Sequence, residues 1–376
     1  MSTRRRVPLM GFTLVEMMIA LVISTLLVIM LLSIFSRMSF SLREQQQIVA
    51  VQQTLAAART AIETDAKQAG LGISQGFTIA ADSPTKYRSP VVVANSSTGP
   101  DGVGFYYADT SVQAVVASVT SRSIITVDNA TGFAQNDIVV LSTPTVVANP
   151  LTIYDAKVAT FTACVLQIST VGATAVTFKT SAPWGSSTNV HCQLPVAGTT
   201  MMYKFVAHYW RLDTTRPTLA PLQLEATGAL VSSNYIDEAY GFSDLQVATY
   251  FYDNDGTDTN DPDTDAKRDW QSGDNQTTYT APTTVPYTLG TATTSPVPFI
   301  PLMITISLVN RTDANVEGVS SSQTPLLTDA VPAKKNNNPL GDRDSVPLPG
   351  TGVLAGNRIY RYLTFQVDMR NMGVGR

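Results

Sequence analysis

Chemistry-bearing residues are scarce in this 376-residue chain. It has two histidines and two cysteines, and charged residues of all kinds make up 14% of it. The histidines, His191 and His208, stand in neither an HExxH nor a Cys/His metal spacing, and no GxxxxGK[ST] or GxGxxG occurs. The short arrangements that serve zinc hydrolases and nucleotide binding are therefore missing. A net charge of −4 offers no electrostatic footprint for nucleic acid, which would need clustered Lys and Arg over the domain. No proline falls between Pro8 and Pro84, so nothing there forces a helix to break. Nor does a small-residue AxA site follow the apolar run near the amino terminus, which excludes ordinary secretory cleavage behind it.

That apolar run dominates what is present. Residues 12–35, FTLVEMMIALVISTLLVIMLLSIF, contain one ionisable side chain, Glu16. As a helix the run is about 36 Å long, enough to span a bilayer. A carboxylate placed just inside such a run is costly in lipid and calls for a partner or a task there, unless the segment is a signal anchor that tolerates one acid near its end. Arg4, Arg5 and Arg6 hold the start of the chain on the cytoplasmic side, and everything after about Arg37 then lies across the membrane. The helical pattern continues beyond lipid. Ile48, Val51, Leu55, Ala58, Ile62, Asp65 and Ala69 follow three-four spacing, and all but Asp65 are apolar or small, so one stripe is expected to face a core. Gly70 and Gly72 are natural terminators.

From Val91 onward the period changes. VGFYYA (103–108), VQAVVASV (112–119), SIITV (123–127) and DIVVLS (137–142) are β-branched or aromatic runs separated by turn residues, with further runs at 159–170 and 175–180. They suggest a β-rich subdomain between about 111 and 195. MMYKFVAHYWRL (201–212), FSDLQVATYFYD (242–253), PLMITISLVNRT (301–312) and RIYRYLTFQVDMRNMG (358–373) read as strands of a main sheet, with polar, proline-broken loops at 254–298 and 313–357. The aromatic strand residues Tyr203, Phe205, Tyr209 and Trp210 are expected to form sheet core with one exposed ring, an adhesive face being the alternative. The composition, poor in charge and rich in Thr, Val, Ala, Gly and Pro, suits an exported β-rich module.

The block Gly11-Phe12-Thr13-Leu14-Val15-Glu16, behind the basic leader MSTRRRVPLMG and ahead of the long apolar helix, resembles the processing site of type IV prepilins. The helix end TDAKQAGLG (64–72), a GF...D.V.L turn near 132–141, and the runs ISLVNRT and TFQVDMRN resemble PilW-type minor pilins, so the likeness spans most of the chain. It implies an α+β, pilin-like fold: a leader at 1–11, a helix at 12–72 that is transmembrane over 12–35, and a β-rich head at 73–376 built on an antiparallel β-sheet with the inserted subdomain. It implies cleavage after Gly11 by a prepilin peptidase, N-methylation of Phe12, and pairing of Glu16 with a neighbouring subunit's amino terminus. The implied partners are other minor and major pilins, the pilus assembly machinery and the inner membrane. The head is placed outside the cytoplasm before assembly, and in the pilus or at its tip afterwards. A J-type minor pseudopilin of type II secretion shares the same helix, and a calcium-dependent tip adhesin is a further alternative. The apolar helix lacks the proline of major pilins and the head is much bulkier, which favours a subunit used in low copy.

Two features stand apart from the helix. Cys164 and Cys192 are expected to bridge in an oxidising compartment, which would stabilise the fold by about 3 to 4 kcal/mol on the chain-entropy view; two buried thiols are the alternative. The segment DNDGTDTNDPDTDAKRD brings Asp253, Asp255, Asp258, Asp261, Asp263 and Asp265 around Gly256. An EF-hand register would need an aspartate where Phe251 stands and a glutamate where Pro262 stands, so the segment is either a different Ca2+ loop or a solvated acidic loop. A Ca2+ loop predicts that calcium raises the thermal stability of the protein, magnesium does so less, and Asp253→Ala with Asp255→Ala removes the effect. An unmoved melting temperature on calcium addition identifies a solvated loop.

Overall fold

The computed structural model describes residues 13–73, 77–79, 90–94, 100–146, 159–180, 195–216, 219, 221–225, 234–252, 268–271, 300–312 and 359–369. Its first element is one uninterrupted helix, α1 (Leu14–Gln68). Thr13 caps it, and with no proline inside, nothing divides the lipid-length half from the half that packs. Every residue from Thr13 to Arg43 is exposed. Burial begins at Val51 and continues through Leu55, Ala58, Ile62, Asp65, Ala66 and Ala69, at the spacing of one helix face.

The helix ends where its stripe ends. Gly70 takes a positive φ, its N–H donates to the Tyr106 carbonyl at 3.0 Å, and Ala108 N–H donates to the Leu71 carbonyl at 2.8 Å. These bonds stitch the departing chain to β3 (Gly102–Ser121), the longest strand among the described residues. Sequence runs 103–108 and 112–119 are thus one strand, not two. The polar break between them is absorbed as a slip in register between Asp109 and Gln113.

β3 organises the larger sheet. Its first half pairs antiparallel with β8 (Met201–Leu212), and its second half with β4 (Ile124–Val127). β4 pairs with β7 (Ala175–Phe178), β7 with β6 (Ala159–Val171), β6 with β5 (Ile138–Val146), and β5 returns to β8. Six antiparallel strands therefore close a ring. Its interior holds Val116, Ile125, Phe133, Leu166, Ile168 and Met202 with their neighbours, a core separate from the one under α1. β1 (Phe77–Ile79) adds to β6 in parallel, β2 (Val91–Ala94) lies along the start of β3, and β9 (Leu222–Glu225) and β10 (Tyr235–Ala239) extend the sheet from β8.

A second, four-stranded sheet has the order β12 (Arg268–Gln271), β11 (Phe242–Tyr252), β13 (Ile300–Arg311), β14 (Tyr360–Asp368), all antiparallel. β12 corrects the reading of 254–298 as loop throughout: β11 offers a strand edge, and pairing there overrides the weak strand propensity of RDWQ. The two sheets meet through Asp101, 2% exposed, whose N–H donates to the Leu245 carbonyl at 2.8 Å and whose Oδ2 accepts from Val247 N–H at 2.9 Å. Across this seam lies α1, packing Leu55, Ala58 and Ile62 into one cluster with Phe105 and Trp210 of the larger sheet and Leu245, Ile306 and Phe365 of the smaller. The architecture is a long helix, bare over its first half, packed on an antiparallel β head.

Gly72, at φ +70°, turns the chain directly above β3, and a Cβ added to it would lie 2.7 Å from that of Ala108. Gly72→Val combines a disfavoured backbone region with a clash against a strand, so it is expected to destabilise the head by about 3 kcal/mol, read as a shifted urea midpoint.

Candidate functional site

Two carboxylates on α1 mark its two ends. Glu16 sits in the first turn, and its Oε2 accepts from both the N–H and the Oγ1 of Thr13 at 2.9 Å, while Glu16 N–H donates to Thr13 Oγ1 at 3.3 Å. This reciprocal capping box satisfies helix amides that no residue one turn earlier can serve. Among the described residues Oε1 of Glu16 accepts no bond, so the group caps its own helix through one oxygen and presents the other. Gly11 and Phe12 lie outside the described residues.

The second carboxylate is Asp65, the one charged member of the buried stripe, 6% exposed. Three donors from the larger sheet converge on it. Tyr107 Oη of β3 donates to Oδ1 at 3.2 Å, His208 Nδ1 of β8 bonds the same oxygen at 2.8 Å, and Trp210 Nε1 of β8 donates to Oδ2 at 2.8 Å. An ionised carboxylate only accepts, so Nδ1 is the nitrogen that carries hydrogen. Burial first, and then the charge of Asp65, hold the Tyr107 hydroxyl well above the ordinary phenol range, so it stays protonated and able to donate. Tyr107 and His208 also meet edge to face, with ring centroids 6.0 Å apart. A buried charge is tolerated only where donors replace water, and this one is surrounded by them. The arrangement is a clasp between helix and sheet; its donors are committed to the carboxylate.

The aromatic strand β8 carries most of this clasp. Tyr203 and Tyr209 are half-buried, Phe205 and Trp210 buried, so none of the four rings is the exposed one expected. Asp65 itself was visible as the exception in an apolar stripe. Its partners were not, being 42, 143 and 145 residues away in sequence.

Above the stripe's exposed flank, Glu63 takes Arg59 and Lys67 at one-turn spacing, and these hydrogen bonds, Lys67's foremost, hold its carboxyl below the usual range. Arg59 also lies over the Phe365 ring at 5.6 Å. It lines a groove of about 530 Å3 between α1 and β14, with Leu55, Ala56, Arg361 and Tyr362 among the walls.

Cys164 of β6 is buried and disulfide-bonded; Cys192 lies outside the described residues. So does the acidic segment with Asp253, Asp255, Asp258, Asp261, Asp263 and Asp265. Among the described residues no group of three or more His, Cys, Asp or Glu is placed to hold a metal. One catalytic spelling does occur, Gly72-Ile73-Ser74-Gln75-Gly76, a GxSxG. A nucleophile elbow needs a strand before the serine and a helix after it, whereas here α1 precedes and β1 follows. Ser74 lies outside the described residues.

No protein-family model matches the chain, and no curated protein matches it. Among solved structures, a type IV-like pilin from Thermus thermophilus aligns over 85% of this chain and 97% of its own at 9% identity and a TM-score of 0.33.

Asp65→Ala leaves three donors unpaired inside the helix–sheet contact, and is expected to destabilise the protein by about 3 kcal/mol or more in denaturant melts. Asp65→Asn, which keeps an acceptor but loses the charge, should cost about half as much, and Trp210→Phe about 1 to 2 kcal/mol. A near-neutral Asp65→Ala would show that the clasp does not hold the helix.

Proposed function

We propose that the chain is a structural subunit of a type IV pilus, a minor pilin of PilW type, anchored in the inner membrane by α1 with its head outside the cytoplasm until it is assembled. The observation that carries this reading is the division of one helix into two solvents. Every residue of α1 from Thr13 to Arg43 is exposed among the described residues, yet most of that length is apolar on every side. The same helix then docks by a single stripe from Val51 to Ala69. A helix apolar all round needs lipid or other apolar helices, and this one can exchange the first for the second without any change in the head. The sequence block at Gly11 to Glu16 supports removal of the leader and methylation of Phe12.

Glu16 fits the docking role through its division of labour. With Oε2 occupied by Thr13 and Oε1 unpartnered among the described residues, its second oxygen can accept from a neighbour's amino terminus while the first keeps the helix capped. In lipid such a contact is favoured because each charge otherwise stands alone. A pilin head of this size suits a subunit that primes or caps the filament and contacts other pilins, rather than one repeated along the shaft.

Mass spectrometry of protein from the cell envelope should show an amino terminus at N-methyl-Phe12. Glu16→Ala should remain membrane-inserted while its recovery in sheared pili falls at least tenfold. An amino terminus downstream of Phe35 sinks the reading, and undiminished recovery of the Glu16→Ala variant removes Glu16 from docking.

A further inference from the structure

The smaller sheet ends in β14, which pairs with β13 on one side and, among the described residues, with no strand on the other. The other sheet ends are blunted. β2 and β12 have four residues each, and β10 has five with a shift in register between Asp237 and Ala239. β14 runs for nine residues, follows β13 without a shift and contains no proline. A long, regular edge of this kind is what proteins ordinarily shorten, bulge or cover. Beside it lies the groove of about 530 Å3, walled by Leu55, Arg59 and Glu63 of α1 and by Arg361, Tyr362 and Leu363 of β14 among others. Neighbouring strand residues point to opposite faces, so three in a row line one groove only where it follows the strand's edge.

We propose that this groove takes an extended acidic segment of a partner protein, which adds to β14 as a further strand of the sheet alongside α1. The backbone selects an extended chain. Amides and carbonyls repeating along an edge are matched by another strand, not by a helix or a compact ligand. Charge selects its side chains. Arg361 is exposed, and its hydrogen bond runs from Nη1 to the Tyr360 carbonyl at 3.1 Å. Arg59 is held over the Phe365 ring and bonds Glu63 through Nε at 3.1 Å, while its terminal nitrogens bond nothing among the described residues. Glu63, the one acid in the groove's walls, is shared with Lys67 at 2.6 Å. The groove is therefore net positive on a chain whose overall charge is −4. An aspartate or glutamate on the added strand finds charge-assisted donors there. Arg361 and Leu363 lie on the same face of β14 as Phe365, the face turned to α1, so the incoming strand sets an acidic and an apolar side chain two residues apart on that face. The groove belongs to the head and the docked half of α1, so the inference does not rest on the membrane anchor.

The test uses the full chain in detergent micelles and an array of immobilised octapeptides whose alternate positions are varied over acidic, basic, apolar and uncharged polar residues. Peptides with Asp or Glu two residues from Leu, Ile or Val should retain at least tenfold more protein than the same peptides with Lys in place of the acid. Methylating alternate backbone nitrogens of the strongest binder should lower binding at least tenfold in one of the two possible sets and leave it in place in the other, since a strand joins one edge with every second amide. Arg361→Glu should weaken the acidic peptides at least tenfold and strengthen the lysine peptides, Arg361→Gln should fall between, and the thermal transition of both variants should stay where it was. An array that binds nothing above background, equal binding of acidic and lysine peptides, or binding indifferent to Arg361→Glu overturns the proposal. Binding that survives methylation of both sets, or that free glutamate or vesicles of anionic lipid abolish at equal carboxylate or phosphate concentration, shows simple attraction of anions and overturns it as well. None of these outcomes bears on cleavage after Gly11 or on Glu16, so failure here leaves the pilus reading standing.

Discussion

The fold depends on how a single carboxylate is accommodated in the face by which α1 grips the head. A helix that is bare over its first half contributes nothing to its own docking there, so the attachment rests on five turns near its end. Those turns mix Val51, Leu55 and Ile62 with the small Ala58, Ala66 and Ala69, which bring the helix axis close to the sheet but bury modest apolar area. Asp65 adds direction to that contact. Three donors from β3 and β8 accept only one rotation and one height of the helix, because a shift by one residue would carry the carboxylate out of reach of all of them. Apolar packing supplies adhesion, and the clasp supplies register.

Much of this was legible in the sequence because helices declare themselves locally. The apolar run, its continuation as a one-sided stripe, the odd Asp65 and the glycine end all follow from residues within a few turns of one another. The longer strands were legible for the same reason, by their β-branched and aromatic content. What escaped depends on distant partners. The short strands LQLE and YIDEA carry no strand signature; LQLE forms because β8 extends far enough to template it, and YIDEA then pairs with LQLE. β12 forms in a charged segment because β11 leaves an edge open. The polar residues between the two halves of β3 read as a boundary, but pairing with one continuous partner, β8, makes them a slip in register. The T-x-x-E spelling of Thr13 to Glu16 allows a capping box, but the sequence alone does not choose between that and another use of the same carboxylate.

The two sheets solve separate problems. The four-stranded sheet and the first half of β3 carry the core under α1, whereas the closed ring of β3, β4, β7, β6, β5 and β8 is filled by side chains of its own. β3 and β8 belong to both. The chain just past α1 also touches the ring, with Ile73 and Phe77 packed against Val140, Ala163 and Val165 and β1 paired with β6, so a change in the ring reaches the helix end by that route as well as along β3 and β8.

The clasp has a mechanical consequence. The bonds from Tyr107, His208 and Trp210 cross from sheet to helix, so a pull along the axis of α1 loads them side by side together with the apolar stripe. Elements loaded side by side share tension and yield at once, whereas elements peeled in sequence yield one at a time at lower force. The position of Asp65, near the far end of the helix from the point of pulling, makes α1 a tether that transmits load through its whole length before the head gives way.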